Sequence, residues 1–61
     1  MKNLRYYRIK RNISNSELAY KVGISTAFLS QLESGARSCS IRTAVKIAAI
    51  LNVSLDDLIL N

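Results

Sequence analysis

The chain has 61 residues, enough for one domain over 1–61, and its nine Lys/Arg against four Asp/Glu give a formal charge of +5, which suits a polyanionic partner. Cys39 is the only cysteine and there is no histidine, so a disulfide framework is excluded and neither a metal site nor a cofactor is expected. No apolar run approaches the roughly 20 residues of a membrane span, and Met1 to Arg5 carry no signal-peptide core, so the expected compartment is the cytoplasm, with no membrane contact.

The chain contains no proline and no sustained alternation of apolar and polar residues, so strands are not signalled. A three-residue mark recurs instead. The first helix is predicted over 3–11, with Leu4 and Tyr7 facing inward, and Asn12-Ile13-Ser14 follows it. The second is predicted over 15–22, with Leu18, Ala19 and Val22 inward, and Gly23-Ile24-Ser25 follows. The third, over 26–34, buries Leu29 and Leu32 and is closed by Gly35. After the longer connection 36–39, Ser40 caps a fourth helix over 41–51 with an inward stripe of Ile41, Ala44, Ile47, Ala48 and Leu51. Asn52-Val53-Ser54 then leads to a fifth over 55–60, where Val53, Leu55 and Leu58 complete the core and Asp56 and Asp57 suit the first-turn dipole.

The marks have one mechanism. Gly or Asn accepts the left-handed conformation just past a helix end. Ser accepts a hydrogen bond from the free N–H groups of the next helix. The apolar residue between them staples onto Leu18, Leu29 or Leu58, and Ser14 with Glu17 has the spacing of a capping box. The fold class is therefore all-α, a compact five-helix bundle. Its second and third helices are joined by three residues containing Gly, which is the helix-turn-helix pattern; a generic helical hairpin is the alternative.

Ser14-Asn15-Ser16-Glu17-Leu18-Ala19, Val22-Gly23-Ile24-Ser25 and the run from Phe28 to Gly35 resemble the Cro/CI-type (XRE) helix-turn-helix family of bacterial and phage regulators. The likeness continues through Ala48 and the run from Leu51 to Leu58. It implies a lambda-repressor-like fold, a double-stranded DNA operator as partner, binding as a homodimer, and no small-molecule ligand. Two departures stand out. Cys39 replaces a frequent Pro and leaves the loop less rigid, and Asn15 replaces a frequent Gln and shortens a phosphate-contacting side chain.

In such a domain the third helix enters the major groove with its N-terminal residues at base edges. The resemblance assigns base readout to Thr26, Ala27, Phe28 and Gln31, with partial packing of Phe28 as the alternative. Asn15 and Ser25 match the family's backbone-contacting positions, and Ser30 is assigned to the backbone with them. The third helix has no Lys or Arg, so Arg37 in the loop and Arg42 in the fourth helix are the expected phosphate contacts. Arg8 and Glu33 match positions that form a structural ion pair in the family. Lys2, Arg5, Lys10, Arg11, Lys21 and Lys46 are read as a solvated cationic face. Cys39 is either a small apolar loop residue or a redox switch.

The functional expectation is a sequence-specific transcriptional regulator acting as a repressor. The alternative is an antitoxin-type interaction module, although such proteins usually carry a further segment for the toxin. No nucleophile–base constellation or glycine-rich phosphate loop is present, so an enzyme is not expected. Leu58-Ile59-Leu60 cannot all face one core at helical spacing. The homodimer interface is therefore expected at Ile50, Leu55, Ile59 and Leu60, with a frayed terminus as the alternative.

Overall fold

The computed structural model describes residues 1–59. They form α1 (Leu4–Lys10), α2 (Asn15–Val22), α3 (Thr26–Ser34), α4 (Ile41–Leu51) and α5 (Leu55–Ile59), with no strand among the described residues. Each predicted break is a left-handed residue. Asn12, Gly23, Gly35 and Asn52 have φ of +59°, +88°, +85° and +57°. The next helix then begins on a serine cap. Ser14 Oγ accepts from Glu17 N–H (3.0 Å), Ser25 Oγ from Phe28 N–H (3.0 Å), Ser40 Oγ from Thr43 N–H (3.3 Å) and Ser54 Oγ from Asp57 N–H (3.1 Å).

The reciprocal capping box forms at a different helix from the expected one. The Glu17 carboxylate turns to Lys21 Nζ at 3.6 Å. At α5, by contrast, Asp57 Oδ2 accepts from Ser54 N–H at 3.4 Å, completing the return bond.

Leu4, Leu18, Leu29, Leu32, Ile47, Leu51 and Leu58 are fully buried, and Ala19, Val22, Ala44 and Ala48 fill the spaces between them. Ile13, Ile24 and Val53, the staple residues of the three marks, pack against this core. α2 lies against both α3 and α4, while α1 bridges α3 and α5. One expected core residue is misplaced: Ile41 is 67% exposed. Spacing alone puts it near the stripe of α4, but it heads the helix, at the rim of an open cavity lined by Met1, Ser38, Cys39, Ala44 and Ile59. Helical periodicity sets a direction and cannot say how far the covering elements extend.

Polar side chains tie the helices together end to end. Asn3 donates from Nδ2 to the Asp57 carbonyl (2.8 Å) and from its backbone to the Leu58 carbonyl (3.2 Å), seating the start of α1 on α5. Arg11 was expected to be simply solvated. Instead, its Nε donates to the Leu51 carbonyl at 2.8 Å and its Nη2 to the Asn52 carbonyl at 3.4 Å. Lys46, expected to be solvated too, donates to the Val22 carbonyl at 3.3 Å. Both cations therefore sit on unsatisfied carbonyls at helix C-termini, where the macrodipole favours positive charge.

The firmest of these ties is Arg8 with Glu33. Nε donates to Oε2 at 2.6 Å and Nη2 to Oε1 at 3.5 Å, while Nη1 donates to the Ile13 carbonyl at 2.9 Å. The side chains are only 13% and 10% exposed. One guanidinium thus joins α1, the turn before α2, and α3. Removing its partner leaves a largely desolvated cation short of an acceptor, which is costly. Glu33→Ala is expected to destabilise the fold by about 3 kcal/mol in urea unfolding, with Arg8→Met/Glu33→Leu recovering most of the loss. A loss for Glu33→Ala of only about 0.5 kcal/mol, the range of exposed pairs, would show that the pair is effectively solvated.

Candidate nucleic-acid interface

The approach of α3 to α2 starts at Ala19, which is buried in the middle of α2. Its carbonyl accepts from both Gly23 N–H (2.9 Å) and Ile24 N–H (3.0 Å), so α2 closes and the chain turns off its axis within one turn. A Cβ at Gly23 would meet nothing within 4 Å. It is the positive φ, not space, that calls for glycine. Ile24 packs inward, Ser25 caps, and α3 leaves the turn with Leu29 and Leu32 fully buried.

The opposite face of α3 is open. Thr26, Ala27, Ser30, Gln31 and Ser34 are exposed, and none of them carries charge. Phe28 lies at the edge of this face, half-buried and packed against the core. Asn15, at the start of α2, donates from Nδ2 to Ser30 Oγ at 3.3 Å, bringing two of the expected backbone contacts together. Ser25 Oγ spends an acceptor site on the cap of α3 and keeps its own hydroxyl proton for donation.

Arg37 comes from the loop after α3. Its backbone N–H donates to the Gln31 carbonyl at 3.3 Å, and its guanidinium carbon lies 5.4 Å from the centre of the Phe28 ring. Sequence reasoning placed no cation on the third helix. The structure delivers one to its flank from outside the helix. Arg42 is exposed in the first turn of α4. The Ser40 cap there also donates to Thr43 Oγ1 at 3.2 Å. Free N–H groups at helix starts and exposed cations beside a polar helix face match the needs of a phosphate-bearing partner.

A second surface is apolar. Ile41, Val45 and Ile59 are exposed, with Ile41 and Val45 one turn apart and Ile59 lining the same cavity as Ile41. Of the residues expected at a dimer interface, Ile59 is 45% exposed. Ile50 and Leu55 are half-buried, Ile50 against the core. Leu60 lies outside the described residues. Cys39 is free and half-buried against the core. Among the described residues there is no cluster of three or more His, Cys, Asp or Glu suited to a metal, and no helix is long and apolar enough to cross a membrane.

Comparison with known proteins agrees with this geometry. Residues 4–58 match the family model described as helix-turn-helix. The chain is 37% identical over 59 residues to an uncharacterised HTH-type transcriptional regulator of Methanocaldococcus jannaschii, covering 95% of this chain and 89% of that protein. It is 38% identical over 55 residues to an uncharacterised HTH-type transcriptional regulator of Archaeoglobus fulgidus, covering 90% and 79%. Among solved structures, it superposes on the N-terminal DNA binding domain of SinR from Bacillus subtilis with a TM-score of 0.84 at 34% identity, covering 95% of this chain and 86% of that one. It also superposes on a chain of the SinR–SinI complex with a TM-score of 0.85 at 34% identity, covering 95% and 57%. These relatives are archaeal as well as bacterial, which is wider than the bacterial and phage resemblance read from the motifs. The chain belongs to the helix-turn-helix family of XRE type and is a DNA-binding transcriptional regulator, not an enzyme.

Proposed function

We propose that this regulator binds a palindromic double-stranded DNA operator as a homodimer, with α3 in the major groove, and represses transcription by occupying that site inside the cell. The observation that carries the proposal is the open, uncharged face of α3 set between Asn15 at the start of α2 and an Arg37 flank. Thr26, Ala27 and Gln31 are the base-reading residues. Gln pairs with adenine through N6 and N7, and the Thr and Ala methyls suit the thymine methyl. Asn15, Ser25, Ser30, Arg37 and Arg42 hold the backbone. No observation favours the toxin-neutralising alternative.

A single reading helix covers only a few base pairs. Two copies read half-sites about one helical turn apart, roughly 34 Å. The exposed Ile41, Val45 and Ile59 are the best support for a self-association surface. The expected interface therefore keeps Ile59 at its centre, and Ile50 and Leu55 contribute less because both are half-buried, Ile50 against the core.

Selection from a random duplex pool, followed by binding at several salt concentrations, tests the readout. Affinity is expected to fall steeply with salt, through counterion release. Gln31→Ala should cost about 1–3 kcal/mol at one base position, in half-sites that favour A/T. Arg42→Ala should weaken cognate and scrambled duplexes together. Binding that ignores salt, or equal losses for Gln31→Ala on both duplexes, contradicts the proposal. The dimer is tested by sedimentation from micromolar to millimolar protein. Ile59→Glu is expected to shift the chain towards monomer and to weaken binding to a palindrome more than to a single half-site. Unchanged palindrome binding by a strict monomer would contradict the interface.

A further inference from the structure

The resemblance assigned Phe28 to the bases, where it would touch a thymine methyl. Its surroundings point to another task. The ring packs against the core and carries the Arg37 guanidinium over it at 5.4 Å. Arg37 is tied back to α3 through its N–H to the Gln31 carbonyl at 3.3 Å, so its side chain lies alongside the helix, not beyond it. Among the described residues the guanidinium has no ion pair or hydrogen bond, so its five N–H donors are unspent. A guanidinium supported by a ring keeps its N–H donors for a partner, and guanidinium groups grip phosphate oxygens in pairs.

The position on the helix adds to this. At about 100° per residue, Phe28 falls on the flank of the exposed face next to Gln31, away from its centre. Thr26 marks the other flank, with Ser30, bonded to Asn15, between it and the centre. A helix in a groove meets base edges along its centre and phosphates along its flanks. We infer that Phe28 is a positioning residue that aims Arg37 at a DNA phosphate, and that it does not read a base itself. The inference rests on the DNA reading proposed above.

The contact with the ring also acts on the free protein. The ring supplies an apolar support worth about two- to five-fold in a binding constant at an exposed site. It also removes rotamer freedom that a loop arginine would otherwise lose on binding.

The test uses Phe28→Leu, Phe28→Met, Phe28→Tyr, Arg37→Ala and the Phe28→Leu/Arg37→Ala pair, each checked for melting temperature. Binding is measured on the selected operator and on a scrambled duplex across salt. Arg37→Ala is expected to weaken both duplexes and to lower the slope of log affinity against log salt by about one. Phe28→Leu and Phe28→Met should weaken both duplexes about two- to five-fold and leave base preference unchanged. Phe28→Leu should cost nothing further in the Arg37→Ala background, and Phe28→Tyr, which keeps the ring face, should restore affinity and slope. In the DNA-free protein, the Arg37 side-chain methylene proton signals should be shifted upfield by the ring and should lose that shift in Phe28→Leu or Phe28→Met. A changed preference at one operator position in a Phe28 variant, additive losses in the double variant, or Arg37 signals that ignore Phe28 would each overturn the inference. Failure of the unaltered protein to bind any duplex would overturn the DNA reading itself, and the phosphate role of Arg37 with it.

Discussion

The presentation of α3 depends on the three-residue turn before it. Gly23 at φ +88° and the paired hydrogen bonds onto the Ala19 carbonyl close α2 and turn the chain off its axis within one turn. Ser25 then starts α3 in a single direction. Because the turn is so short, α3 cannot rotate to hide its polar side. Leu29 and Leu32 go inward, and Thr26, Ala27, Ser30, Gln31 and Ser34 stay outside, Ser30 within reach of Asn15. A non-glycine residue at this φ would be strained. Arg8 reinforces the arrangement from the other end of α3 by holding Glu33 and the Ile13 carbonyl at once.

Net charge is a coarse guide to what such a domain offers DNA. Of nine Lys/Arg, Arg8 is consumed by Glu33, Arg11 by the end of α4, Lys46 by the end of α2, and Lys21 pairs with Glu17. The first three hold helices together, whereas the Lys21 pair lies within α2. Arg37 and Arg42, on the connection and helix start that follow α3, are exposed and make no ion pair among the described residues. In the proposed interface, structural charge and charge offered to DNA are thus divided by location, in keeping with the separation of positioning from readout in protein–DNA contacts.

The helices and their joints were legible because their signals are local. A left-handed Asn or Gly, an apolar staple and a serine cap act within five or six residues, and α2, α3 and α4 begin and end where those signals place them. Less legible was whatever joins distant residues. Ile41 has the right period for the core and lies at the rim of a cavity instead. Arg11 and Lys46 look like surface charge until the carbonyls of Leu51 and Val22 are seen beside them. The partners are 40 and 24 residues apart, a separation that leaves no periodic signal in the sequence. Arg37 over Phe28 spans nine positions across a helix end and has no periodic signature. The family resemblance supplied residue roles at the interface; periodicity supplied only the division of α3 into an inner and an outer face.

The central claim is that the outer face of α3 is the DNA-contacting surface, flanked by the starts of α2 and α4. Titration of nitrogen-15-labelled protein with a duplex selected from a random pool tests it most directly. The account predicts the largest amide shifts at Thr26 to Gln31, at Asn15 and Ser16, and from Arg37 to Arg42, with the outward residues of α1, such as Arg5 and Ile9, nearly still. Shifts concentrated on α1, or on Ile41, Val45 and Ile59 with α3 silent at saturating DNA, would contradict it.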